Sequence, residues 1–137
     1  MLEQLFNIYE KNAINAYVKY SYDLNSGDVE FDSYIIEFKG KGSPDGMCID
    51  SEDGLWVAFY NGSAIRRYDT RNNFIQTHEI NVPALRTTSC AFAGKNLEQL
   101  IITTAERNSP TSTSNDGQTF ICETGFAGVA TTLFAGA

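Results

Sequence analysis

Histidine occurs once in these 137 residues and cysteine three times, and neither gathers into a ligand pattern. With no C-x-x-C pair and no histidine cluster, a thiolate–imidazole zinc site is not expected. The odd cysteine count does not suggest a disulfide framework either. Cys48, Cys90 and Cys122 each fall in an apolar, strand-like context, where a free cysteine behaves as a small buried hydrophobe. Positive charge is scarce: ten Lys and Arg stand against seventeen Asp and Glu, a formal net charge of −7. Nucleic acid and anionic membranes both call for basic patches, so neither is an expected partner. No segment reaches about 18 consecutive apolar residues, the length of a membrane-spanning helix. The start, M-L-E-Q-L-F-N-I-Y-E, lacks a basic stretch followed by an apolar run, so a cytoplasmic location is expected.

Several catalytic signatures are missing as well. No G-x-S-x-G accompanies the lone His78, which sits in an alternating strand, F-I-Q-T-H-E-I, and is expected at a surface or edge. Lys39-Gly40-Lys41-Gly42 is glycine-rich but has neither the spacing of a phosphate-binding loop nor its Ser or Thr. Asp23-Leu24-Asn25-Ser26-Gly27-Asp28 matches a calcium loop only briefly. Its glycine comes at the fifth position rather than the sixth, and Tyr34 stands where the twelfth-position glutamate belongs. A hairpin turn is the expected structure there.

What is present is a repeat. Residues 5–9 (LFNIY), 55–60 (LWVAFY) and 100–104 (LIITT) are equivalent apolar strands whose starts lie 50 (55−5) and 45 (100−55) residues apart. Each leads to a second strand (13–20, 64–68, 119–123), a turn, and a last strand (29–38, 74–80, 129–134). An inner strand precedes two of them, at 47–49 and 89–92, with Cys48 and Cys90 in register. A four-stranded unit returning about every 45 residues is the signature of a β-propeller blade. A sandwich of short strands is the alternative fold. Helices fit poorly, because no i, i+3, i+4 stripe is sustained and Gly, Asn, Asp, Ser and Thr interrupt every window of about ten residues.

The expected class is therefore all-β, with four-stranded antiparallel blades. By length the chain is one domain that buries roughly 68% of its unfolded surface. We divide residues 1–137 into blades at 1–42, 43–86 and 87–137, the first lacking its innermost strand. Three blades do not close a ring of roughly four to eight. A missing N-terminal half, or a second copy in a homodimer, is the expected completion. Residues 107–118 (RNSPTSTSNDGQ) read as a solvated loop between two strands of the last blade. The aromatics Phe6, Tyr9, Trp56, Phe59, Tyr60 and Phe92 are expected to pack between blades.

Chemistry is to be sought at Asp45. Pro44-Asp45-Gly46 reads locally as a turn, with proline presetting φ and Asp-Gly supplying the bend ahead of a strand 47–49 buried on both faces. The repeat places Thr87 where Asp45 sits (90−87 equals 48−45), so a blade does not demand an acid at this position. A carboxylate at the end of an inner strand faces the central channel of a propeller.

The run S-P-D-G-M-C-I-D-S-E-D-G-L-W-V-A-F-Y-N-G, followed by I-R-R-Y-D and T-T-S-C-A-F-A-G, closely resembles the regucalcin/gluconolactonase (senescence marker protein) family. The upstream Y-D-L-N-S-G-D-V and the C-terminal L-F-A-G fit the same pattern. The resemblance covers nearly the whole chain but only the C-terminal half of the family's fold. It implies a six-bladed propeller with a divalent cation (calcium, zinc, manganese or magnesium) in the channel and hydrolysis of sugar lactones. It implies that Asp45 is a metal ligand and general base. The family's other ligands, a Glu and two Asn, belong to the half that is not here, and Asn7 and Asn12 do not stand in their context. Three functional readings follow: part of a metal-dependent lactonase that is incomplete for catalysis, a self-associating half-propeller, and a non-catalytic calcium-binding or scaffold module.

Overall fold

Short apolar runs separated by Gly, Asn and Asp turns produce strands throughout. The computed structural model describes residues 2–9, 15–23, 25–38 and 40–130, the side chains of 2–9, 15–17 and 37 excepted. Among the described residues there are ten strands and no helix, hence none long and apolar enough to cross a membrane. They are β1 (Leu2–Tyr9), β2 (Asn15–Tyr22), β3 (Val29–Glu37), β4 (Ser43–Ile49), β5 (Gly54–Tyr60), β6 (Ala64–Asp69), β7 (Ile75–Asn81), β8 (Thr87–Ala93), β9 (Gln99–Thr104) and β10 (Thr119–Glu123). Every pairing is antiparallel and sequential, in three sheets ordered β1-β2-β3, β4-β5-β6-β7 and β10-β9-β8. This is the consecutive meander of propeller blades that the repeat predicts.

The central sheet carries the core because its second strand is apolar on both faces. In β5, Leu55, Val57 and Phe59 point to one side and Trp56 and Ala58 to the other, all of them buried. The period of two in strand side chains separates these sets. Leu55, Val57 and Phe59 join Tyr68 and take Ile36 from β3 and Phe38 from just after it. Trp56 and Ala58 join Ile65, Cys90, Leu100 and Ile102, uniting the second sheet with the third. Each large side chain buried this way stabilises by about 1.5–3 kcal/mol. Edge-on ring contacts fix the geometry on both sides, Phe38 with Phe59 at 5.0 Å and Trp56 with Phe92 at 5.9 Å. The predicted inter-blade role of Trp56, Phe59 and Phe92 is thus observed, whereas the side chains of Phe6 and Tyr9 lie outside those described.

Two expectations need correction. Pro44-Asp45-Gly46 does not precede the inner strand but lies inside it, as an irregularity of β4 between Pro44 and Met47. Nor is 47–49 buried on both faces: Met47 and Cys48 are half-buried and Ile49 is 42% exposed. Both differences follow from β4 being an edge strand, bonded only to β5. An edge tolerates proline, whose missing N–H would break a central ladder. The strand expected over 129–134 lies mostly outside the described residues. Val129 and Ala130 are not in a strand; just before them Gly128 bridges back to Asp50, and the Ser51 N–H donates to the Ala127 carbonyl at 2.8 Å.

Candidate functional site

The inner strands β4 and β8 lie side by side, each with a register irregularity near its start, between Pro44 and Met47 in one and between Thr87 and Ser89 in the other. Bulges of this kind re-aim side chains and are frequent beside sites. Gly46 allows the close approach: a Cβ there would stand 2.3 Å from Ser89 Oγ and 2.8 Å from the Thr88 carbonyl oxygen. Asp45, half-buried, sits in the β4 irregularity. Burial pushes its carboxyl above the ordinary aspartate value, and the Gly46 backbone N–H only partly offsets that. Its counterpart Thr87 is fully buried, and the Thr87 Oγ1 has no hydrogen-bond partner among the described residues.

Three connecting segments gather at the same end of the inner strands. Ser43 pairs with Tyr60, so the turn at 61–63 lies beside the start of β4. The Ser63 N–H donates to the Leu85 carbonyl and the Val82 N–H to the Ser63 carbonyl, tying that turn to the connection before β8. Thr87 pairs with Thr104, so the chain leaving β9 into 107–118 starts there too.

The loop 107–118 is better anchored than its composition suggests. Arg86, 3% exposed, donates from Nη1 to Asp116 Oδ2 at 2.7 Å and to Ser112 Oγ at 3.2 Å. From Nη2 it donates to Ser109 Oγ at 2.6 Å and to Thr111 Oγ1 at 3.1 Å. Asp116 also receives the Leu85 and Thr113 backbone N–H groups. The sequence offers only a lone arginine closing the apolar V-P-A-L-R and one acid in a Ser/Thr-rich loop downstream, with nothing local to pair the two.

A second acid, at the far end of β4, serves the fold. Asp50 is fully buried and accepts from Glu52 N, Gly54 N, Trp56 Nε1 and Arg67, the last at 2.6 Å from Nε to Oδ2. Burial alone would raise its carboxyl, but these donors more than offset it and hold it below the ordinary range. Gly54 is required because Arg67 lies across it; a Cβ would be 2.2 Å from Arg67 Nε. A cavity of about 560 Å³ opens at this end, beside Glu52, Lys95, Glu123 and Phe126, away from Asp45.

Asp45 is a hard oxygen donor suited to calcium or magnesium, but calcium takes roughly six to eight oxygens. Among the described residues no group of three or more His, Cys, Asp or Glu could hold a metal ion. Among the described residues, Asp45 is therefore not part of a cluster of three or more such side chains. His78 is exposed at the edge of the central sheet, its ring near those of Trp56 and Phe126, and is not brought to Asp45.

The chain resembles known proteins over much of its length. Its residues 10–106 match the SMP-30/Gluconolactonase/LRE-like region. The putative sugar lactone lactonase YvrE of Bacillus subtilis is 46% identical over 92 residues, covering 64% of this chain and 30% of that protein. Among solved structures, a luciferin-regenerating enzyme superposes with a TM-score of 0.75 at 27% identity, covering 85% of this chain and 40% of that one. A calcium-binding protein, regucalcin, from Agrobacterium tumefaciens superposes with a TM-score of 0.66 at 29% identity, covering 78% and 38%. The chain thus spans about three-tenths of the length of the curated relatives it matches. With the motif run, the sheet meander and these matches in agreement, the chain belongs to the SMP-30/gluconolactonase/LRE-like family.

Proposed function

We propose that this chain contributes one wall of a metal-dependent sugar-lactone hydrolase site, with Asp45 as a cation ligand and general base. The observation that carries the reading is the contrast at one aligned position: β8 has a register irregularity of its own, yet beside it stands Thr87, paired with Thr104, so the acid in β4 is not there to make the strand. Its carboxyl, raised by burial, is a better proton acceptor than an ordinary aspartate, since base strength follows pKa. In lactone hydrolysis Asp45 takes a proton from water as the water oxygen adds to the ring carbonyl. The acyl–oxygen bond then breaks and the released alkoxide is protonated, giving the open-chain hydroxy acid. The remaining cation ligands come from outside the described residues.

The assay is hydrolysis of gluconolactone with calcium, zinc or manganese, paired with calorimetric titration of the same ions. The 137-residue chain alone is expected to show little or no turnover and weak cation binding. Asp45→Ala is expected to remove what binding there is. Robust turnover that survives Asp45→Ala overturns the assignment of Asp45.

A further inference from the structure

Two of the three cysteines meet across the seam between neighbouring sheets. Cys48 lies on β4 and Cys90 on β8, and their Sγ atoms are 3.6 Å apart. That is contact between two free thiols, not a bond. The close approach is written into the strands: Gly46, two residues before Cys48, has no side chain to hold β4 off Ser89. The Cys90 thiol is buried and donates to the Trp56 carbonyl at 3.5 Å, so it already reaches across to the central sheet. Cys48 is the more open of the two, half-buried on the edge strand. Cys122, on β10, packs on the same core cluster.

We propose that Cys48 and Cys90 are a redox modification site, closing to a reversible disulfide between the two inner strands when the protein meets a peroxide. The chemistry balances in two steps. The Cys48 sulfur attacks one peroxide oxygen, the O–O bond breaks, and Cys48 becomes a sulfenic acid with release of one water. The Cys90 sulfur then displaces the sulfenic oxygen, which leaves as a second water carrying the Cys90 proton. Hydrogen peroxide is reduced by two electrons and the two thiols are oxidised by two. The second step is intramolecular, between groups already in contact, which favours it over reaction with an outside thiol. The sulfurs must close by roughly 1.5 Å to reach a disulfide bond length. Contact with Cys48, then burial, pushes the Cys90 thiol up, so the step is slow at neutral pH and faster in mild alkali. The bond would staple the second sheet to the third at the strands that carry Asp45 and Thr87.

The test uses the full chain, folded, with dilute hydrogen peroxide. Free thiols are then alkylated and the protein is digested with trypsin without reduction. Cleavage after Lys and Arg puts Cys48 in residues 42–66, Cys90 in 87–95 and Cys122 in the peptide beginning at 108. The expected product is a 42–66/87–95 species, lighter by two hydrogens than the sum of its parts and abolished by dithiothreitol. The Cys122 peptide is expected alone and alkylated. Oxidation is expected to raise Tm by roughly 4 °C or more, as for a cross-link over a long loop. Cys48→Ser and Cys90→Ser should each abolish the linked species, while Cys122→Ser retains it. Should the first two variants fail to fold, the wild-type peptide map decides. No linked species, or a mixture of all three pairings from the folded chain, overturns the proposal.

Discussion

The strands β4 and β8 invite comparison because the repeat makes them the same element twice. Both open on a register irregularity, both carry a cysteine one residue after regular pairing resumes at Met47 and Ser89, and both pack on the core around Trp56. Among their differences, two bear on function and fold. Where β8 has buried Thr87, β4 has half-buried Asp45; and where β8 has Phe92, the chain leaving β4 has Asp50. The shared features are what a blade needs. The differences separate two kinds of acid, since the donors around Asp50 bind its sheet together whereas Asp45 stands where a neutral residue serves the other strand equally well.

The largest effect should come from the acid that serves the fold. Removing one partner of a buried pair strands the other charge, at a cost of about 3–5 kcal/mol. Asp50→Ala leaves Arg67 without its carboxylate and strips an acceptor from Trp56 and two backbone N–H groups. We expect a loss of that size in urea denaturation at pH 7. Because its carboxyl is held low, the stability that Asp50 supplies is present above the unfolded value near pH 4 and lost as pH falls through the folded one. The gap between wild type and Asp50→Ala should therefore narrow in acid. A gap that persists at pH 2 would mean that packing, not charge, is what Asp50 provides.

A smaller loss is expected where the two strands touch. In Gly46→Ala the new methyl meets both the Ser89 side chain and the Thr88 carbonyl, so a backbone must move. Overpacking of this kind costs roughly 1–3 kcal/mol. The same shift separates Cys48 from Cys90, and the yield of the peroxide cross-link should fall with stability. Unchanged stability and yield would show that β4 and β8 are not as closely apposed as Gly46 implies.

Why these features were unequally legible in the sequence is a matter of range. The strands could be read because alternation is local: LWVAFY declares two apolar faces within six residues, and β5 buries both. The repeat could be read because Cys48 and Cys90 stand in the same local setting. Asp45 could be singled out for the same reason, by its contrast with Thr87. The Arg86–Asp116 latch could not, because thirty residues separate the partners and only the fold brings them together. Asp50 stands in a run of turn-forming residues, Asp50, Ser51, Glu52, Asp53 and Gly54, and nothing local sets it apart from the others. Its partner Arg67 comes from across the sheet, 17 residues on. Pro44-Asp45-Gly46 reads as a bend in the sequence and is a bulge in the fold, because proline and glycine signal both, and an edge position is not written in a single strand.

The smallest effects bear most directly on the comparison, because they ask whether the matched residues Asp45 and Thr87 are each tuned for something other than stability. A buried hydroxyl without a partner costs about 1–3 kcal/mol relative to a satisfied one. Thr87→Val removes that hydroxyl while keeping the branched shape, so a gain of roughly 1 kcal/mol is expected. A loss would reveal a partner for Thr87 Oγ1 and break the symmetry with Asp45. Asp45→Asn should also stabilise slightly at pH 7, for a different reason. Its folded carboxyl is raised by burial, so the ionised form is penalised in the native state. By linkage that penalty is full above the folded value, fades as pH falls, and is gone below the unfolded value near pH 4. Melting curves at pH 7 and pH 3 should show Asp45→Asn above wild type at the first and level with it at the second. A residue that weakens the fold when charged, at a position where threonine serves the neighbouring strand, is retained for its charge. Equal melting temperatures at both pH values would remove that argument and leave Asp45 as a polar residue of the bulge with no more role than Thr87 has beside its own.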